Sequence, residues 1–245
     1  MSGHFRDRFG WFRRETMVPA ATAAYRAPMK WDWIPLSASA LVIGVMALVF
    51  GALLNPIAPG AASADTVAKV AMESGRFLGM SVMYFLASVS LTLGLPSILS
   101  LFTVRARRIG VLAVVVFAIG VIGTSGYAML LVFFRALVQE DAIRVASLEE
   151  VTGDLGLGAF LWGWVGAFYL GLLLIAVALL VARRTHVWVP VLMIAFVATL
   201  PFAEKIGRVG QVAQVMALAF AFTGIAMAAV HHEGRSRSAA AQPAY

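Results

Sequence analysis

Cysteine is absent from all 245 residues. That excludes disulfides, thiolate catalysis and cysteine-ligated metal. Charge is scarce as well, at 13% of residues, where soluble domains carry about 25%. The four histidines fall at positions 4, 186, 231 and 232, all flanking the apolar runs. No HExxH pair occurs and His231-His232 point apart on a helix, so no metal is expected. The same placement argues against a bis-histidine haem anchor. No GxSxG, Walker A or dinucleotide fingerprint appears, and no cofactor is expected.

What is abundant is apolar sequence, 61% of the chain, gathered into long blocks. Runs of about 20 apolar residues match a bilayer's hydrocarbon thickness. Segments of that length satisfy their own backbone hydrogen bonds in lipid as α-helices. The expected fold is an all-α, polytopic transmembrane bundle of six spans. They run about 34–54, 75–103, 109–134, 155–182, 187–202 and 209–230. A basic-aromatic juxtamembrane segment, 1–33, precedes the domain at 34–231, and a flexible tail, 232–245, follows it. In the first segment Phe5, Phe9, Trp11 and Phe12 interleave with Arg6, Arg8, Arg13 and Arg14, a composition suited to an anionic membrane surface. Ala62-Ser63-Ala64 has the look of a signal-peptidase site, but the basic stretch before it is too long. The first span is therefore expected to stay uncleaved.

The net charge of +7 points to topology rather than to nucleic acid. Six spans put Arg6, Arg8, Arg13, Arg14, Arg26, Lys30, Arg105, Arg107, Arg108, Arg183, Arg184, Arg235 and Arg237 on one side. Eight of the twelve acids fall on the other side, among them Glu73, Glu140, Asp154 and Glu204. The positive-inside rule makes the first side cytoplasmic, with both termini there, in a plasma membrane. The stretch PFAEKIGRVGQVAQ, 201–214, then reads as an outer turn between spans five and six. Left inside one span, its three charges would each cost at least ~2.5–3.5 kcal/mol. Glu204 and Arg208 are four apart and pair if the turn is helical.

Span two is the most polar. Arg76, Met80, Tyr84, Ser88, Thr92 and Pro96 recur every four residues and form one stripe. The stripe begins in an ion pair of Glu73 with Arg76. It reads either as the wall of an outward cleft or as interhelical packing through small and hydroxyl residues. Gly120, Gly123 and Gly126 in span three, and the glycines of span four, also suit close helix packing. Trp162, Trp164 and Tyr169 of span four suit an interfacial belt or the wall of an aromatic pocket. Between these spans, 135–154 holds Glu140 and Arg144 at i,i+4, and Ser147 and Glu150 at capping-box spacing. It reads as an extension of span three with a short interfacial helix, or as a lid or partner surface. The candidate outer-face ligand site is Glu73, Arg76, Tyr84, Ser88, Arg135, Glu204 and Arg208, with no catalytic residue assigned.

The layout resembles a bacterial six-helix integral membrane family of unknown function. The resemblance rests on AKVAMESGRFLGM leading into span two and RRTHVWVPVL joining spans four and five. It implies the six-helix fold and no particular activity. The expected function is a non-enzymatic small-molecule or lipid-binding module, or an accessory subunit of a membrane complex. Its partners are the lipid bilayer and a membrane protein or second copy, not nucleic acid. The alternatives are a transporter of an apolar solute using the span-two stripe, and a membrane enzyme with an outer-face site.

Overall fold

The computed structural model describes residues 33–58, 60–102, 106–143, 145–202, 205 and 207–240. The segment before residue 33 lies outside the described residues, as do Glu204, Arg144 and residues 241–245. The described chain is helical and contains no strand. Its helices are α1 (Trp33–Leu54), α2 (Ser63–Met72), α3 (Ser74–Leu99), α4 (Arg107–Gln139), α5 (Val145–Thr152), α6 (Leu155–Ala182), α7 (Trp188–Ala198) and α8 (Gly207–Ala240). A short 3-10 turn, Leu200–Phe202, follows α7.

Five of these helices, α1, α3, α4, α6 and α8, are long and apolar enough to cross a membrane. They are apolar around the whole circumference. Ile43, Leu93, Leu112, Ile122 and Phe133 face outward and are exposed, a surface that water would drive into aggregation. The architecture is that of an α-helical membrane bundle. Helix α7 differs. Its 11 residues rise only ~16 Å, about half of a ~30 Å hydrocarbon core.

Local chemistry fixes the helix ends. After α1, Asn55 Oδ1 accepts from the Ile57 N–H at 3.0 Å, closing the turn before the chain departs. Asp154 caps α6 by accepting from the Leu157 N–H at 2.7 Å, satisfying a free amide of the first turn. Helix α7 stops at Ala198 and α8 starts at Gly207, whose φ is +64°; Lys205 lies between them and Arg208 in the first turn of α8. Gln214 Nε2 then donates to Phe196 O at 3.0 Å and Thr199 Oγ1 at 2.8 Å, tying α8 to the end of α7. Helix α4 runs five residues beyond 134, to Gln139, the extension of span three that was one expected reading of 135–154. Other boundaries differ from expectation: α3 stops at Leu99 rather than 103, and α7 at Ala198 rather than 202. The segment after α1 winds into the amphipathic α2. Helix α8 continues to Ala240, because its Arg, Ser and Ala residues favour helix once the apolar part has nucleated it. The short external helix starts at Val145, so Ser147 lies within α5 rather than capping it.

The six apolar helices close into a ring. Helix α1 packs on α3, α3 on α4, α4 on α6, α6 on α7, α7 on α8, and α8 returns to α1. Two of these contacts are glycine clamps of one design. In α1 and α3, a Cβ on Gly44 would meet Leu91 N at 2.8 Å, and one on Gly94 would meet Leu41 Cα at 2.9 Å. In α4 and α6, a Cβ on Gly120 would run into the backbone of Phe168, and one on Gly171 into that of Phe117. Each helix thus carries a large apolar residue three before a glycine, and the partner helix runs antiparallel with the same pair. From 41 to 117 and from 44 to 120 the step is 76; from 91 to 168 and from 94 to 171 it is 77. The unit α4–α5–α6 repeats α1–α2–α3: long helix, short helix, long helix, with the clamp in register.

The clamps make a prediction. Gly120→Leu should destabilise the bundle by on the order of 3 kcal/mol, the upper end for overpacking a close contact. Gly163→Ala, at a position with nothing within 4 Å, should be neutral or stabilising by about 0.5–1 kcal/mol. Thermal unfolding in neutral detergent separates the two. A Gly120→Leu protein that melts with the parent would mean the backbones are not in contact.

Candidate functional site

Beside the clamps, toward the end of the bundle that carries α2 and α5, the ring opens into a cavity of about 560 Å³. All six apolar helices contribute to it, including Leu48 of α1, Tyr84 of α3, Tyr127 of α4, Trp164 and Tyr169 of α6, Phe196 of α7 and Leu218 of α8. Its existence follows from side-chain size. Gly126 leaves the α4 wall bare, since a Cβ there would meet nothing within 4 Å, while Gly120 and Gly123 bring α6 close. Gly123 lies directly beneath the Trp164 indole, 2.5 Å from a Cβ built there.

One turn further from the α2/α5 end the cavity is floored by aromatics. The Phe117 ring lies 5.2 Å from Phe168 and 5.8 Å from Phe222, so α4, α6 and α8 meet through three rings. Along the wall, Tyr169 lies edge-on to Phe168 at 5.5 Å and 5.8 Å from Phe196. The lining is mostly apolar. Its polar groups are Asn55, Thr124 and the phenols of Tyr84, Tyr127 and Tyr169. A large apolar hollow with a few hydrogen-bonding groups is the usual form of a small-molecule site.

The residues singled out from sequence divide into four groups. Tyr84 lines the cavity, its ring pressed against α1 where a Cβ on Gly51 would lie 2.6 Å from Cε1. Ser88 does not line it. Its hydroxyl is buried and donates to Val121 O of α4 at 2.6 Å, so this step of the stripe joins helices. Glu73, Arg76 and Arg135 gather at the α2/α5 end. Glu73 is the junction between α2 and α3 and pairs with Arg76 and, at 3.4 Å, with Lys69. Arg135 Nε donates to Ser74 Oγ at 2.7 Å and Ser74 O at 3.1 Å, fastening α4 to the start of α3. Glu204 lies outside the described residues. Arg208 occupies the first turn of α8, and its side chain is likewise outside them.

Partial desolvation of the Glu73 carboxyl opposes ionisation, but Lys69 and Arg76 outweigh it and hold the group below its usual range. The pair is exposed and contributes to local order rather than to the core. Among the described residues, no three His, Asp or Glu side chains come together as metal ligands.

The cavity's main walls, Tyr127, Trp164 and Tyr169, were not in the sequence-based site. The available signal was three tyrosines within apolar helices, each of which needs a wet or hydrogen-bonded neighbour for its hydroxyl. Compared with known proteins, this chain matches no family model, no curated protein and no solved structure.

Two outcomes follow. Ser88→Ala should cost about 1 kcal/mol, a typical buried hydrogen bond, read as a lower unfolding midpoint. Glu73 has a lowered folded-state pKa, so its contribution is complete above the ordinary carboxylate value of 4.5 and is lost as pH falls through the lower folded value. Amide exchange in α2 should therefore quicken in Glu73→Gln at neutral pH, and the parent should match the variant only at a pH below 4.5. Equal protection at neutral pH would remove the ion pairs from the account of α2.

Proposed function

We propose that this is a non-enzymatic, multi-pass protein of the plasma membrane that holds a small apolar or lipid-like molecule in the cavity among its helices. The observation that carries the reading is the cavity itself: about 560 Å³, walled by aromatics, with three phenols inside an otherwise apolar hollow. The occupant it suits is a largely hydrocarbon body bearing one or two oxygens that accept from tyrosine hydroxyls.

In this reading α7 and the turn after it complete a sixth span, and both termini are cytoplasmic. Arg107, Arg108, Arg183, Arg184 and Arg235 cluster at the end away from α2 and α5, which supports that orientation. The cavity then lies in the outer half of the membrane. Kinship with a six-helix membrane family belongs to the same proposal.

Transport is the second reading. It requires the Phe117–Phe168–Phe222 floor to part, and below that floor Leu41, Leu172, Ile175 and Ile225 are packed without exposure. A closed floor supports retention over passage. An outer-face enzyme is supported less, since the Glu73 carboxylate is already paired with two cations, Lys69 and Arg76.

Gly126→Leu tests the proposal, because the new side chain enters open cavity space and removes a helix glycine. The purified protein should carry a near-stoichiometric apolar molecule, seen by mass spectrometry of its organic extract. The variant should carry at least tenfold less while melting no lower than the parent. Equal recovery from both proteins would sink the cavity as the binding site.

A further inference from the structure

A second cleft, of about 620 Å³, lies at the opposite end of the bundle, where the 183–187 link turns from α6 into α7 against α8. Its lining carries six basic or imidazole side chains, Arg183, Arg184, His186, His231, His232 and Arg235, and no acid. Glu233, the acid nearest in sequence, is not among them. Charge scattered along a membrane edge needs no cleft. Here the basic and imidazole side chains come from two segments, the 183–187 link and α8, and converge on one hollow with an apolar back.

That back is made by Trp188 and Met227. Trp188 is laid over Gly224 of α8, where a Cβ would lie 2.8 Å from Cη2 of the indole. The glycine lets α7 settle on α8 and leaves the cleft open above them. His232 Nε2 lies 3.1 Å from Arg184 O; a carbonyl only accepts, so Nε2 carries the proton and ties the link to α8. Arg183 closes α6 in the left-handed region, φ +52° and ψ +32°, which glycine or asparagine occupies with less strain. Thr185 also lines the cleft, and its Oγ1 is buried with no hydrogen-bond partner among the described residues. The guanidinium groups of Arg183, Arg184 and Arg235 around the cleft suit an oxygen-rich anion.

We infer that this cleft binds a phosphate group, that of an anionic phospholipid headgroup or of a soluble phosphate compound. Arginines supply paired N–H donors to phosphate oxygens, and basic pockets between membrane helices suit lipid headgroups. The Trp188–Met227 back gives a headgroup's glycerol and first methylenes an apolar wall. The assignment is independent of the cavity at the α2/α5 end.

The test uses the full chain in neutral detergent, with native mass spectrometry reading bound phosphatidylglycerol, phosphatidylcholine and inorganic phosphate. The variant Arg183→Asn/Arg184→Gln removes two charges and keeps a residue suited to the left-handed position, so it should melt no lower than the parent. Arg107→Gln/Arg108→Gln removes the same charge from exposed positions at the same end, outside the cleft. Phosphatidylglycerol should be retained at one per chain, at least tenfold over phosphatidylcholine. It should fall at least tenfold in the first variant and less than twofold in the second. If inorganic phosphate alone binds and shows that variant dependence, the phosphate site stands and its source is soluble. Retention of neither, or equal losses in the two variants, overturns the site.

Discussion

The close approach of α4 and α6 at Gly120 and Gly171 is the constraint on which the rest of the bundle depends. With no side chain on either glycine, each backbone lies against the backbone of the facing phenylalanine residue. The released rings of Phe117 and Phe168 turn inward, meet Phe222 of α8, and close the bundle's centre. The contact between α1 and α3 is made the same way with leucines in place of phenylalanines. In a membrane, association gains little from the hydrophobic effect, because lipid is as apolar as the partner helix. Close packing must supply the attraction, and small residues allow it. The cavity is the complement of this arrangement: α4 and α6 are still in contact where Gly123 lies under Trp164, and the space opens at Gly126, where a Cβ would meet nothing within 4 Å.

The polar residues fit this division of labour. Ser37 shows it: its hydroxyl donates to Leu93 O at 2.9 Å and accepts from the Ser97 N–H at 3.0 Å, filling a gap that Pro96 opens in the α3 ladder. Ser88 does the same between α3 and α4. Of the stripe on α3, Ser88 bonds to a neighbouring helix, Thr92 donates back to Ser88 O within α3, and Met80 and Tyr84 reach the cavity.

How far sequence led can be judged from these residues. The apolar blocks announced the long helices because nothing else satisfies a backbone in lipid, and α6 begins and ends within a residue of expectation. Breaks at Asn55-Pro56 and around Gly207 were legible for the same reason. The pairing of Glu73 with Arg76 was legible from spacing. The cavity was not. A tyrosine or tryptophan in an apolar helix looks the same whether it faces lipid, a neighbouring helix or a hollow, and only the ring order of the helices decides. Ser88 is the converse case, a hydroxyl on the expected stripe that a 2.6 Å bond draws into packing. The repeat went unseen because its register is kept by four clamp positions, with leucine exchanged for phenylalanine and little else alike.

The brevity of α7 has a consequence for how the chain is made. In the six-span arrangement proposed above, an 11-residue apolar helix is too short to hold a membrane by itself while the ribosome is still at work. The carbonyls at its end, at Phe196, are met by Gln214 of α8. Commitment of α7 must therefore await synthesis of at least the first half of α8, with the two entering as one hairpin. The earlier hairpins each contain two full-length helices and face no such delay. Biogenesis of this protein should pause, if anywhere, with four spans inserted and the last pair still outside.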